Sequence, residues 1–254
     1  MAERLDGTVA LVTGASSGIG EATAEALAQH GASVAIAARR VDRLQDLAGR
    51  IREAGGTALV LEADVGEEHQ AREAVQRTVS ELGRLDTLVN NAGVMLLGPA
   101  VGAPLQEWDT MLHVNLAGLL YCAHAALPHL LDAARDGPRN VADMVNISSV
   151  AGRVARSGSA VYNLTKHGVG AFSEALRQEV TGRHVRISIV EPGAVATELS
   201  SHNRPEIRER ISQRFGDVER MHSTDISDLI TYIVTRPWRV AINEVLIRPT
   251  EQEG

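Results

Sequence analysis

The chain has 254 residues, 44% apolar and only 3% aromatic, enough for a sizeable core of Val, Leu, Ile and Ala and within reach of one α/β domain. Its formal charge of −7, from 25 basic and 32 acidic residues with no basic stripe, argues against a nucleic-acid partner. A single cysteine, Cys122, excludes an internal disulfide, and nine histidines without metal-ligand spacing predict no metal site.

The opening Met1–Gly7 has no apolar signal core, and no apolar run reads as long enough to span a bilayer. The expected location is therefore the cytoplasm. Cys122 sits among Leu119, Leu120, Tyr121 and Ala123 and reads as a buried structural thiol.

Val9–Thr13 is a short apolar run ending at glycine. Thr13-Gly14-Ala15-Ser16-Ser17-Gly18-Ile19-Gly20 follows, and then a helical pattern with Ala22, Ala26 and Leu27 on one face. This is strand, glycine-rich turn and helix. Gly14 permits the sharp turn, Gly18 lets backbone approach a pyrophosphate, and Gly20 lets helix and strand pack closely. The helix N-terminus offers free N–H groups to phosphates.

Ser33–Ala38 is a second strand that runs into Arg39-Arg40. No acid stands where a ribose 2′-hydroxyl would be held, and two guanidiniums follow, which suits a 2′-phosphate and hence NADP(H). Ala58–Val65 is a third strand that includes Asp64, with a helix from about Glu67 to Leu82 after it. Leu85–Val89 is a fourth strand that enters Asn90-Asn91-Ala92-Gly93. Strands alternating with helices imply βαβ units, a doubly wound parallel sheet, and a ligand at the strands' carboxyl ends.

Leu105–Leu131 reads as long, apolar and mostly helical, with Asn115 inside it, and Asp132–Asn140 as a loop. Val141–Ile147 is a strand in which Asp143 has no explanation at this level. Next come Ser149 and then Tyr162 and Lys166, which are four apart and share one helix face. An ammonium beside a phenol favours phenolate, and a hydroxyl can hold a substrate oxygen. This set can move a proton to or from a carbonyl or alcohol oxygen. The helix continues to Val180, and Val185–Val190 is a sixth strand closed by Glu191-Pro192-Gly193, with Thr197 beyond. Residues 199–222 are polar and read as a lid or a solvated helix. Thr224–Thr235 looks helical from a Thr/Ser cap, and Glu244–Ile247 is a last strand. With no repeat or linker, residues 1–254 divide most simply as one domain.

The motifs Thr13–Gly20, Asn90–Gly93, Asn115, Ser149, Tyr162-x-x-x-Lys166 and Pro192-Gly193 with Thr197, in this order, resemble the short-chain dehydrogenase/reductase family. The likeness runs from about Leu5 to Ile247, in the branch of about this chain's length and in its NADP-preferring subgroup. Shorter stretches such as Ala37–Arg40 and Met95–Pro99 look like clavulanic acid dehydrogenase, on a frame similar to 3-hydroxy acid (serine) dehydrogenases. The resemblance implies a single Rossmann-type, doubly wound, seven-stranded parallel sheet with helices on both faces, in a homotetramer or homodimer. It implies Tyr162 as acid/base, Ser149 as the group positioning the substrate oxygen, and Lys166 as the holder of the nicotinamide ribose. Asn115 would hold a water of a proton relay. Cofactor contacts would come from Gly14, Ser16, Ser17, Gly18, Ile19 and Gly20, and from Arg39, Arg40, Asp64 and Val65. Asn91, Ala92, Gly93, Pro192, Gly193, Val195 and Thr197 would complete them. The implied substrate is a small ketone, aldehyde or alcohol. A non-catalytic NADP(H)-sensing protein and a non-redox enzyme on the same scaffold are the alternatives.

Overall fold

In the computed structural model Val9–Thr13 (β1) is buried along its whole length. Ala10 and Val12 enter one apolar layer and Leu11 the other, because strand side chains alternate between faces and here helices cover both. Each fully buried Val or Leu side chain of this kind contributes about 1.5–3 kcal/mol. The structure describes residues 4–216 and 218–253, without the side chains of Arg214 and Phe215. The ends of the 1–254 division and residue 217 within the 199–222 segment lie outside the described residues.

The other strands are β2 (Ser33–Ala38), β3 (Thr57–Glu62), β4 (Thr87–Asn90), β5 (Ala142–Ile147), β6 (Val185–Pro192) and β7 (Glu244–Ile247). They form one sheet in the order β3-β2-β1-β4-β5-β6-β7, parallel at every pairing. The helices are α1 (Gly18–Gln29), α2 (Val41–Glu53), α3 (Glu68–Leu82), α4 (Leu105–Met111), α5 (Gly118–Asp136), α6 (Ala160–Val180), α7 (Pro205–Phe215) and α8 (Ser223–Val234). One face of the sheet packs against α1, α2 and α8 and the other against α3, α5 and α6. The strand order reverses between β1 and β4, which opens a crevice at their carboxyl ends.

The buried stripe of α1 is Gly20, Thr23, Ala24 and Leu27, so Ala22 and Ala26 do not lie at its centre. β3 ends at Glu62, which leaves Asp64 and Val65 in the turn beyond it, and β4 starts at Thr87 rather than Leu85. The polar stretch read as a loop from Asp132 continues α5 to Asp136, with the turn at Gly137. α8 is capped by the Asp225 carboxylate, which accepts from the His222 N–H at 2.7 Å, rather than by a Thr or Ser.

Leu105–Asp136 is one helical stretch of 32 residues that contains an 18-residue segment of mean hydropathy 1.3, long and apolar enough to cross a membrane by length and composition. This corrects the expectation that no such run exists. Its residues Leu119, Cys122, Ala123, Ala126 and Leu130 are buried in the layer beside α3 and α6, as in the core helix of a sheet protein. Burial pushes the Cys122 thiol up to about 12, which keeps it protonated.

Asp143 has its explanation in the next strand. The Arg186 guanidinium on β6 grips its carboxylate through two bonds, of 2.7 and 2.9 Å, and donates to the carbonyls of Val234, Arg236 and Val240. Arg139 lies 3.5 Å from the same carboxylate. Burial drives the Asp143 pKa up, against the pull of both guanidiniums. The pair ties β5 and β6 to the end of α8.

Candidate active site

The β1–α1 turn packs against the end of β4. A Cβ on Gly14 would stand 2.8 Å from the Ala92 Cα, and one on Gly20 only 2.4 Å from the Asn91 amide nitrogen. Those approaches demand glycine, and Gly14 also has φ +64°. Asn91 fastens the turn by donating to the carbonyls of Thr13 and Gly14. Gly18, with φ +60°, faces Thr197 from the other side. Ser17 precedes α1 without a side-chain cap, so the first-turn N–H groups stay available to an anion.

A cavity of about 440 Å³ opens here and runs from the glycine turn to Ser149 and Tyr162. Nearly every residue expected at the site lines it. Gly20 and Asn115 do not. Gly20 serves the packing just described. Asn115 is buried in a π-helical segment, Leu112–Ala117, between α4 and α5. Its amide brackets Val94, accepting from the N–H at 2.7 Å and donating to the carbonyl at 2.8 Å. Widened π turns recur at functional sites. This one aims Asn115 at the loop after β4.

Ser149 caps the short 3₁₀ turn Val150–Gly152 after β5, and its oxygen accepts from the Ala151 N–H. The Ser149 hydroxyl is hydrogen-bonded to the Tyr162 phenol, and burial nevertheless pushes that phenol up to about 12. Lys166 is buried one helical turn on, and its Nζ donates to the Ile147 carbonyl at 2.8 Å. Burial brings its ammonium down to about 8. Burial, not the neighbouring ammonium, therefore sets the tyrosine, and the phenol is protonated at neutral pH. The expected lowering of Tyr162 by Lys166 is absent from this arrangement.

At the other end Ala38 closes β2 without a carboxylate. Arg40 lays its guanidinium on the hydroxyls of Ser16 (3.0 Å) and Ser17 (2.7 Å). Arg39 is 67% exposed and 3.6 Å from Asp64. Glu198 pairs with both Arg40 and Arg43, which hold its carboxyl down to about 2.

Several residues here escape a reading of the sequence. Asn163 is buried beside Tyr162, accepts from the Arg156 N–H and donates to the carbonyls of Ala151 and Val154. Asn203 accepts from the Leu97 N–H at 2.7 Å and so joins the 198–220 excursion to the loop after β4. Gln252 reaches back to the Ala194 N–H. No local pattern marks any of these residues, because each acts on a segment distant in sequence or on irregular backbone.

The sequence pattern described as short chain dehydrogenase matches residues 8–208. An uncharacterized oxidoreductase of Staphylococcus saprophyticus is 34% identical over 247 residues, covering 96% of each chain. Among solved structures, serine dehydrogenase in its closed form complexed with NADP⁺ superposes with TM-score 0.88 at 32% identity, over 97% of both chains. A metagenomic short-chain oxidoreductase in complex with NADP gives TM-score 0.81 at 31% identity, over 98% of this chain and 99% of that one.

Proposed function

The chain belongs to the short-chain dehydrogenase family, and on that premise we propose an NADP(H)-dependent oxidoreductase that interconverts a carbonyl and an alcohol on a small molecule, with Tyr162 as the acid/base. The observation that carries this reading is the meeting of Ser149, Tyr162 and Lys166 in one cavity with a phosphate-ready glycine turn. Bound nicotinamide would supply or accept the hydride. The chain's own residues do the rest. Ser149 orients the substrate oxygen, and the protonated Tyr162 phenol donates to that oxygen during reduction. Lys166 would hold the nicotinamide ribose, and its ammonium, lowered by burial to about 8, exchanges a proton at a modest cost. Asn115 continues the relay, held by its bonds to Val94. Absorbance of NADPH followed against a panel of ketones, aldehydes and alcohols tests the reading. No change across the panel would favour a non-catalytic sensor or non-redox chemistry.

The cofactor choice rests on Ala38, Arg39 and Arg40. Arg40 is already anchored on Ser16 and Ser17 beside the glycine turn, where a 2′-phosphate can replace Glu198 as its partner. A charge-assisted bond contributes about 1.5–3 kcal/mol, so NADPH should exceed NADH in kcat/KM by roughly 10- to 100-fold. Ala38→Asp combined with Arg39→Ala should reverse that order, because a carboxylate at the end of β2 repels the phosphate and accepts from a free ribose hydroxyl. Equal kcat/KM for the two cofactors in the native protein would remove these residues from cofactor recognition.

The 199–222 segment serves as a substrate lid. It leaves and rejoins the body where Val195 bridges Met221, and Leu199, Ser200 and Ile211 line the cavity from it. The protein assembles as a homotetramer or homodimer through the outer faces of the helices around Leu105–Leu131 and Tyr162–Val180, where Leu105 (62%) and Leu164 (58%) are exposed. Light scattering at micromolar concentration should give a multiple of the 27.1 kDa chain. A monomer mass would contradict it.

A further inference from the structure

β6 ends at Pro192, and Gly193, Ala194, Val195 and Thr197 beyond it line the cavity. Ser149 follows β5, the neighbouring strand, and the Ser148 N–H still pairs with the Val190 carbonyl at 2.8 Å. A nicotinamide that reacts at Ser149 and Tyr162 therefore lies against this stretch of backbone. No regular strand holds it there. The Gly193 N–H takes the carbonyl of Ile247, where β7 ends, at 2.7 Å. The Ala194 N–H has no strand to meet and donates instead to Gln252 Oε1 at 2.8 Å. Gln252 is 8% exposed and sits beyond β7, on a turn closed by its own N–H on the Pro249 carbonyl at 3.0 Å.

The remaining backbone groups are also engaged. The Ala194 carbonyl accepts from the Met221 N–H at 3.1 Å, and the Ala196 N–H donates to the Met221 carbonyl at 2.8 Å. The Thr197 N–H turns back on the Val195 carbonyl at 2.9 Å. From Gly193 to Thr197, the Val195 N–H alone has no protein partner among the described residues. Gly193 fits the same contact. A Cβ there would collide with Gln252 Oε1 and stand 3.2 Å from Pro249 Cδ, although its φ lies outside the left-handed region. We infer that Gln252 is a positioning residue for the nicotinamide. By holding the Ala194 N–H it fixes the next peptide, whose N–H is the backbone donor this stretch offers to the ring's carboxamide. A donor on a fixed peptide has less freedom to lose on binding than one on a loose loop. The inference rests on the NADP(H) reading and adds a residue that lies outside every motif.

Calorimetric titration with two ligands separates positioning from a general structural role. One is NADPH. The other is 2′-phospho-ADP-ribose, which is the same molecule without its nicotinamide ring. Gln252→Met keeps the length of the side chain and removes the acceptor. It should bind NADPH about 10-fold more weakly than the native protein, the value of roughly one hydrogen bond. Its affinity for 2′-phospho-ADP-ribose should be native, which also shows that the variant is folded. Gln252→Glu keeps an acceptor at the same reach and should bind both ligands as the native protein does. Should the Met variant not fold, Gln252→Ala takes its place in the comparison. Unchanged NADPH affinity without the acceptor, equal weakening of both ligands, or a Glu variant as weak as the Met variant would each overturn the role of Gln252 and leave NADP(H) binding standing. A native protein that binds neither ligand would overturn the cofactor reading itself.

Discussion

Tyr162→Phe should lower kcat by about 10²–10⁴-fold, the usual range for loss of a general acid/base, with NADPH affinity little changed. The substitution keeps the ring that is buried beside Ser149 and Lys166 and removes only the hydroxyl. Little stability should be lost, since the phenol's partner Ser149 retains its bond from the Ala151 N–H. The pH dependence has a definite sign. The phenol lies at about 12, so the proton donor for carbonyl reduction is fully present at neutral pH and is lost only as pH rises towards that value. Oxidation needs the phenolate, so it should gain as pH rises over the same range. Kinetics of both directions between neutral and alkaline pH, together with a cofactor titration of the variant, check this. Turnover of the Phe protein near the native rate would remove Tyr162 from the chemistry.

Arg186→Met should destabilise the fold by about 3–5 kcal/mol, as removal of one partner of a buried ion pair does. Arg186 is 5% exposed and Asp143 fully buried. Without the guanidinium, Asp143 loses two bonds and the carbonyls of Val234 and Val240 lose a donor, while that of Arg236 keeps the one from Arg139. Arg139, at 3.5 Å, recovers only part of the interaction. At roughly 2–4 °C per kcal/mol for a chain of this size, Tm should fall by about 6–20 °C. Arg186→Met with Asp143→Leu should be more stable than Arg186→Met alone, because the uncompensated carboxylate is gone. Thermal melts of the native, single and double variants measure it, and a single variant melting with the native protein would show that the pair does not hold β5, β6 and α8 together.

The short apolar runs Val9–Thr13 and Ser33–Ala38 determined their own strands to the residue. A strand buried on both faces needs a continuous apolar stretch, and glycine or a charged pair stops it, so local composition suffices. The glycine turn was legible for a similar reason, since close approach and positive φ leave little besides glycine at Gly14 and Gly18. The spacing of Tyr162 and Lys166 was fixed by the helix. Their protonation was not, because it depends on how much protein surrounds them. Spacing alone suggested a phenol lowered by its ammonium, and burial instead raises the one and lowers the other.

The same limit applies to Asp143, a misplaced charge in one dimension and half of an ion pair once β6 lies beside β5 in register. Only tertiary structure brought Asn203 to Leu97, Gln252 to Ala194 and Glu198 to Arg40, across separations of 106, 58 and 158 residues. Periodicity and turn chemistry act between neighbours along the chain, so the sequence by itself determined the elements and the order of the motifs. Charge pairing, burial and cavity lining act between whatever the fold makes adjacent, and for this protein they became visible only when the sheet was assembled.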